Sequence, residues 1–400
     1  MVNQLPQGWK EEELGKLADV IAGQSPEGIY YNTVGDGTPF YQGKSEFQEM
    51  YLGKPTKWTT KVTKLAKRND ILMSVRAPVG PVNITQEDIC IGRGLAAITA
   101  KSMLLQLYLF YHLKYLEDKI SGTNGAVFAS ISKREIEQIK ITYPIDKEEQ
   151  DYIVKTLDAI AEIIRLRKET IQLAKDLIPT IFQEMFGDPI TNPKGWNKKD
   201  LGQVCDVRDG THASPKFYPE GYPLITSKNL IDGEIDFSNV SFISEKDYEE
   251  INKRSFVDDG DILLAMIGTI GNPVIVKRNR DFAIKNIALI KFYKKDSEVT
   301  NTYIKSVLEL VTDNLKLQSI GVTQKFISLG FLRKYSIPIP PITMQEEFAD
   351  KVEQINKYIA AQQEELEQFE TLFQSLLQEA FTGVLTWNYP RKECHDKKDK

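Results

Sequence analysis

Cysteine is scarce in this chain. Cys90, Cys205 and Cys394 are the only three, and no two stand at a C-x-x-C spacing. Their scatter excludes a disulfide framework and a zinc ribbon, and it points to a reducing compartment. Histidine is equally rare. His112, His212 and His395 are too dispersed to assemble a metal set or a catalytic cluster. No G-x-x-x-x-G-K-S/T segment is present to cradle nucleotide phosphates. Long apolar runs are missing too: nothing approaches the roughly 18 residues of a membrane span. The best stretch, Met103 to Leu113, is interrupted by Gln106 and reads as a buried helix. The first residues carry neither a basic cap nor an apolar signal core, so a cytoplasmic location with no membrane contact is expected. No catalytic residue and no metal ligand is assigned.

What the chain does have is repetition. Its 400 residues, 41% of them hydrophobic, suffice for more than one core. An apolar seam with a seven-residue step runs through Leu157, Ile164, Ile171, Ile178 and Met185, and it recurs 195 positions later at Val352, Ile359, Leu366, Phe373 and Ala380. A companion seam, four residues ahead, pairs Ile153 and Ile160 with Phe348 and Ile355. Its single polar interruption, Arg167 or Gln362, falls at the same step in both copies. Two helices with this pattern want a helical partner, and each is the nearest partner of the other. At about 38 residues, each spans on the order of 55 Å. Pro179 lies inside the first and is expected to kink or weaken it near its end.

The duplication extends into the segments before the helices. Pro6-Gln7-Gly8-Trp9 answers Pro193-Lys194-Gly195-Trp196, and Asn69-Asp70-Ile71-Leu72 answers Gly260-Asp261-Ile262-Leu263. Ile131-Ser132 answers Ile327-Ser328 in the same way. Within these heads, β-type runs alternate with turn signals. Asp261 to Gly271 reads as a buried strand ending in a glycine turn, and Phe282 to Phe292 as another; helical patterns cover 102–119 and 300–317. Net charge follows the same partition. Residues 1–142 and 191–337 are each +2, whereas 143–190 and 338–386 are −4 and −7, so the overall −5 belongs to the helices.

The order of these parts resembles the DNA-specificity subunit of a Type I restriction–modification enzyme. The resemblance rests on Pro144 through Glu149-Gln150 opening the first helix and Pro340-Pro341 through Gln345-Glu346 opening the second. The heads add Asp209-Gly210-Thr211-His212, Gly268-Thr269-Ile270-Gly271, Gly321-Val322-Thr323-Gln324, Ser74-Val75-Arg76-Ala77-Pro78 and Gly92-Arg93-Gly94. It implies an α+β fold: two mixed α/β target-recognition domains separated by a long antiparallel two-helix coiled coil, with pseudo-twofold internal duplication. Target-recognition domain 1 would cover 1–142, a central spacer helix 143–190, target-recognition domain 2 191–337 and a distal spacer helix 338–386, with a charged tail over 387–400. It also implies partners: double-stranded DNA carrying a split site, two modification subunits and, through the assembled complex, restriction subunits. The chain itself would bind no cofactor; S-adenosylmethionine, ATP and Mg would sit on those partners. Consistent with this, the sequence lacks an N/D-P-P-F/Y loop for adenine methylation.

Candidate DNA contacts follow from residue chemistry. Lys57, Lys61 and Lys64 lie in a lysine-rich stretch suited to phosphate contact. Arg76 and Arg93 stand in glycine- and proline-rich turns where a guanidinium reaches guanine edges. In the second head His212, Lys216, Ser227, Lys228, Asn229, Gln324 and Lys325 occupy loops, with Lys277 and Arg278 as phosphate contacts. The spacer seam is expected at Ile153, Leu157, Ile160, Ile164, Ile171, Ile178, Phe348, Val352, Ile355, Ile359, Leu366 and Phe373. A different class of reading, a coiled-coil adaptor with two protein-binding heads, explains the helices equally well but has no use for clustered Arg, Asn and Gln on basic loops.

Overall fold

The computed structural model describes residues 5–121, 130–268, 270–293, 297–318 and 326–385. The chain divides into two compact units, and the division cuts both long helices near their middles. One unit holds residues 1–168 and 364–400, the other 169–363.

In the first unit, strand Trp9–Glu13 pairs antiparallel with Lys140–Pro144. A four-stranded antiparallel sheet has the order Ala18–Ala22, Leu95–Ala100, Ile71–Ser74, Val82–Ile84. The second unit repeats this arrangement. Lys198–Asp200 pairs with Ser336–Pro338, and the sheet order is Asp206–Asp209, Ile287–Lys291, Ile262–Ala265, Gly271–Ile275. Each main sheet packs a helix, Gln106–Tyr115 or Asn301–Leu310, whose inward residues are fully buried. A smaller sheet in each head contains a parallel pair, Phe40↔Cys90 in one and Leu224↔Ala283 in the other. Within the stretch Met103 to Leu113 the core helix begins at Gln106 and buries Tyr108 to Leu113, while Met103 itself is exposed; Cys90 and Cys205 are free and buried.

The expected continuous strand Phe282 to Phe292 is broken. Ala283–Ile284 and Ile287–Lys291 belong to different sheets, separated by a turn at Lys285-Asn286 in which Asn286 adopts φ 56°. Asparagine tolerates this left-handed conformation better than most side chains. The apolar residues on either side conceal the turn from a periodicity argument.

The long helices run Lys147–Phe186 and Ile342–Thr382, the first continuing through Pro179 to its end. In the first unit, the start of one packs on the end of the other: Ile153, Leu157 and Ile164 share a core with Phe373, Leu377, Ala380 and Phe381. Arg167 pairs with Glu365 at 2.8 Å, and Lys168 with Glu370 at 2.8 Å. In the second unit, Phe182 and Phe186 meet Phe348 edge-on, with ring centroids 5.6 and 5.5 Å apart. Both sets of contacts require antiparallel helices. Eight of the twelve seam residues are buried, and Ile160, Ile178, Ile355 and Leu366 are half-buried. The polar interruption at Arg167 is accommodated by its ion pair and by the Phe369 ring beneath its guanidinium.

One side chain fastens each helix to its head. Gln150, fully buried, donates from Nε2 to the carbonyls of Pro144 (2.9 Å) and Met103 (3.1 Å), and its Oε1 accepts from the Leu105 amide (2.9 Å). Gln345, also fully buried, donates to Pro340 (2.9 Å) and Glu298 (3.0 Å) and accepts from the Thr300 amide (3.0 Å). Leu105 and Thr300 are the N-cap residues of the two head helices. Tyr108 and Tyr303 reinforce the joint by donating to the carbonyls of Thr142 and Pro338 at 2.9 and 2.8 Å.

Stranding buried amide partners costs about 1–3 kcal/mol for each group left unpaired. Gln345→Leu is therefore expected to destabilise the second unit by about 2–4 kcal/mol, and Gln150→Leu the first by a similar amount. Chemical denaturation with hydrogen exchange at the Thr300 amide checks this, and a cost under about 1 kcal/mol would contradict the role assigned to the glutamine.

Candidate nucleic-acid interface

In the first head, the Phe40–Gly43 segment, Thr56-Lys57 and the Ser74–Ala77 turn enclose a cleft of about 360 Å³. Its polar lining is Gln42, Lys44, Ser45, Thr56, Lys57, Ser74 and Arg76, with one carboxylate, Glu46, that accepts from the Ser45 and Thr56 hydroxyls. The Ser74 hydroxyl shapes the turn by bonding the carbonyls of Arg76 (3.1 Å) and Pro78 (3.0 Å), which leaves the Arg76 side chain in solvent. Beside the cleft, the turn Gly92-Arg93-Gly94 lies directly on the Gln42 backbone: a Cβ on Gly94 would stand 2.3 Å from the Gln42 carbonyl oxygen. Glycine is required there for close approach, and the consequence is an exposed Arg93. The Arg93 amide is held by the Ser25 hydroxyl of the facing loop at 3.2 Å. Lys61 lies over the Tyr30 ring, 4.6 Å from its centroid, while Lys57 and Lys64 are exposed.

The second head builds a related pair of loops. A Cβ on Gly210 would lie 2.3 Å from the Ile284 carbonyl oxygen, as one on Gly23 would lie 2.2 Å from that of Gly92. The Gly210 and Gly23 amides donate to Ile287 and Leu95, each at 2.9 Å. His212 follows Gly210. Its Nδ1 faces Asn286 Oδ1 at 2.8 Å and its Nε2 faces Asp209 Oδ2 at 2.7 Å. Two oxygens around one ring are satisfied together only by the doubly protonated imidazolium. The Asn286 and Asp209 bonds accordingly raise the His212 pKa above its ordinary value, against the opposing effects of burial and of the Arg254 charge. Asp209 itself is buried, and its other oxygen binds Arg254. Lys285 Nζ donates to Ser214 Oγ at 2.8 Å, and Lys216 lies 5.5 Å from the Tyr218 ring centroid.

Among the described residues, none of Lys57, Lys61, Lys64, Arg76, Arg93, Lys216, Lys228 or Lys277 forms an ion pair; Lys285 forms none either. On the spacer helices, by contrast, Lys155, Arg165, Arg167, Lys168, Lys351 and Lys357 are all paired with carboxylates. The loop cations thus keep their charge available to an external anion. Two of the expected contacts are otherwise occupied. Asn229 is buried, accepts from the Thr226 amide and hydroxyl and donates to the Asp236 and Asn239 carbonyls. All its hydrogen-bonding capacity is spent on shaping its loop, so it offers no edge to a base. Arg278 pairs with Asp281 at 2.5 Å and stacks 4.2 Å from the Phe256 ring centroid, which restricts it. Ser227 is half-buried beside exposed Lys228, and Gln324 and Lys325 lie outside the described residues. Sequence reasoning missed Gln42, Lys44, Lys285 and Asn286. A Gln-Gly pair after a short strand signalled the first, whereas Lys285-Asn286 was masked by its apolar flanks.

No group of His, Cys, Asp and Glu among the described residues is arranged to hold a metal ion. His112 is a core residue: its Nε2 accepts from the Thr142 amide at 3.2 Å, and burial lowers its pKa to about 3. Among the described residues, no helix is long and apolar enough to cross a membrane.

A family model described as the Type I restriction modification DNA specificity domain matches residues 6–175 and 193–371. The putative type I restriction enzyme MjaX specificity subunit of Methanocaldococcus jannaschii is 44% identical over 184 residues, which is 44% of this chain and 43% of that protein. The chain thus aligns with less than half the length of that relative. The type I restriction enzyme MjaIX specificity subunit of the same organism is 22% identical over 424 residues, covering 96% of this chain and 95% of that one. Among solved structures, the S subunit of a Type-I restriction-modification system from M. genitalium superposes with a TM-score of 0.53 at 16% identity, over 94% of this chain and 98% of that one. A chain from a study of complex assembly and conformational transition in the type I R-M system gives 0.58 at 18% identity, over 95% and 99%. These two likenesses concern the fold.

The two histidines are expected to titrate at opposite extremes in an imidazole NMR titration. His212 should have its midpoint above the ordinary ~6.5, whereas His112 stays neutral down to about pH 3. Because the His212 value is raised on folding, its contribution to stability is full below the unfolded value and fades as pH rises through the folded one. Asp209→Asn should lower the His212 midpoint; an unmoved midpoint would mean that the Asp209 contact is not formed.

Proposed function

The chain belongs to the Type I restriction modification DNA specificity family, and on that premise we propose that it reads a bipartite site on double-stranded DNA. Residues 1–142 read one half and residues 191–337 the other. The helices in 143–190 and 338–386 serve as spacer, with 387–400 as a charged tail. Two copies of a modification subunit dock on this duplicated chain, because a repeated structure offers two like surfaces to one partner. Restriction subunits join through that assembly. The chain supplies specificity and no catalysis; S-adenosylmethionine, ATP and Mg act on the partners.

The observation that carries the reading is the set of unpaired cations on the head loops, set against the spacer helices, where six of the eight lysines and arginines are paired with carboxylates. A phosphate backbone neutralises such side chains and releases counterions, so binding falls with salt by about 0.9 logarithmic units per contact and per decade. A protein-binding adaptor would not need exposed guanidinium and ammonium groups held on glycine-supported turns. Leu173 and Leu177, exposed on the first long helix, are apolar handles for the docking partner.

Two measurements test this. Exchanging residues 1–142 for the equivalent head of another specificity subunit should change one half of the methylated motif, read by methylome sequencing of the host; a change in both halves rejects independent heads. Lys57→Gln combined with Lys64→Gln should flatten the salt dependence of DNA binding by about 1.8 logarithmic units per decade without altering sequence preference. An unchanged slope removes these lysines from the phosphate contacts.

A further inference from the structure

The turn that interrupts the apolar run of the second head has a counterpart in the first. The sheet registers establish this. Leu95 opposes Ser74 at the start of one central strand, and Ile287 opposes Ala265 at the start of the other. On the other side of each turn, Tyr41 pairs in parallel with Ile91, and Ile225 with Ile284. Three residues, Gly92-Arg93-Gly94, fill the first interval, and two, Lys285-Asn286, fill the second. Each turn bonds back to the preceding parallel strand, Gly92 to the Tyr41 carbonyl at 2.8 Å and Lys285 to the Ile225 carbonyl at 2.9 Å. Each also rests against a glycine of the facing loop, Gly23 or Gly210.

Each turn carries one cation, and neither cation has a carboxylate partner among the described residues. The first head presents the fork of Arg93 between two glycines. The second presents Lys285, whose ammonium is steadied by the Ser214 hydroxyl, and whose neighbour Asn286 is fixed by His212. These supports come from the Asp209–Ser214 loop, so the turn is preorganised from the side rather than carried on a flexible tip. A Lys or Arg held in this way donates to the O6 and N7 acceptors of guanine in the major groove.

We infer that Lys285 is a specificity-determining residue of the second head, carried on the turn that corresponds to the Arg93 turn of the first, and that each reads a guanine in its own half-site. The inference rests on the DNA-reading function proposed above. It also assigns His212 and Ser214 as positioning residues for the Lys285-Asn286 turn.

The test uses the full chain coexpressed with its modification subunits, with methylation read genome-wide and with salt-dependent DNA binding. Lys285→Gln should relax discrimination about tenfold to a hundredfold at one base pair of one half-site, leaving the other half unchanged. Arg93→Gln should do the same in the opposite half. Lys285→Arg, which keeps a donor cation, should retain methylation and the guanine. Wild-type discrimination in Lys285→Gln would overturn the inference while leaving the DNA-reading function intact. So would a uniform weakening with a shallower salt slope and no relaxed base, the mark of a phosphate contact. Loss of methylation in both Lys285→Gln and Lys285→Arg would make the residue structural and overturn it as well. A wild-type chain that directs no bipartite methylation would bring down the proposed function itself, and the inference with it.

Discussion

The structure depends on a buried amide used twice. Gln150 and Gln345 each sit in the opening turn of a long helix, and each satisfies three backbone groups: two carbonyls and the amide at the N-cap of a head helix. A helix start leaves its first amides unsatisfied, and a head that packs on such a start must leave few polar groups dry and unpaired. The glutamine meets this demand for the neighbouring helix while its backbone begins its own. Apolar contacts alone would hold helix and head together but allow them to slide, because burial is non-directional. Three hydrogen bonds from one planar amide fix both separation and rotation.

That joint explains why the two copies keep a constant offset where they do. Gln150 and Gln345, Tyr108 and Tyr303, and the seam residues of both helices are all separated by 195 positions. Between these fixed points the heads drift in length, because loop insertions at the surface change few buried contacts. The copies also differ where a partner residue changed. Trp9 donates its indole N–H to the buried Glu149 carboxylate at 2.9 Å. In the second copy the equivalent position is Met344, which offers no such acceptor, and Trp196 turns to the Phe186 carbonyl at 3.0 Å instead. One tryptophan is buried and the other half-buried as a result.

The limits of the sequence reading have the same physical origin. Heptad spacing is a property of the backbone helix, so the seam from Ile153 to Ile178 and from Phe348 to Phe373 was legible, and so were the two head helices. Antiparallel orientation was not forced by periodicity; it follows from the packing of Ile153 and Leu157, at the start of one helix, with Leu377 and Ala380, at the end of the other. Strand content was legible wherever β-branched and apolar residues stood between turn signals, as at Ile262–Ala265. It failed at Phe282 to Phe292, where a left-handed Asn286 divides an apolar run without glycine or proline to announce it. Among the loop residues, charge type was readable but engagement was not. Arg278 and Arg76 look alike in sequence, yet one is stacked and paired while the other is free in the cleft. Asn229 has the chemistry to read adenine but is consumed by its own loop.

Engagement is what divides the cations of this chain by role. An ion pair on an exposed helix contributes little stability, about 0–1 kcal/mol, so the pairs along the spacer helices do not account for the persistence of the fold. Their effect on charge is larger, because each neutralises a group that would otherwise attract polyanions to the spacer. The helices, already net negative, therefore repel phosphate, whereas the mildly basic heads hold their unpaired lysines and arginines on turns. Attraction and repulsion are thus sorted along one chain whose total charge is −5. A polyanion is guided to the heads by the local field and not by the net charge, because exposed charges act only within about 10 Å at moderate ionic strength.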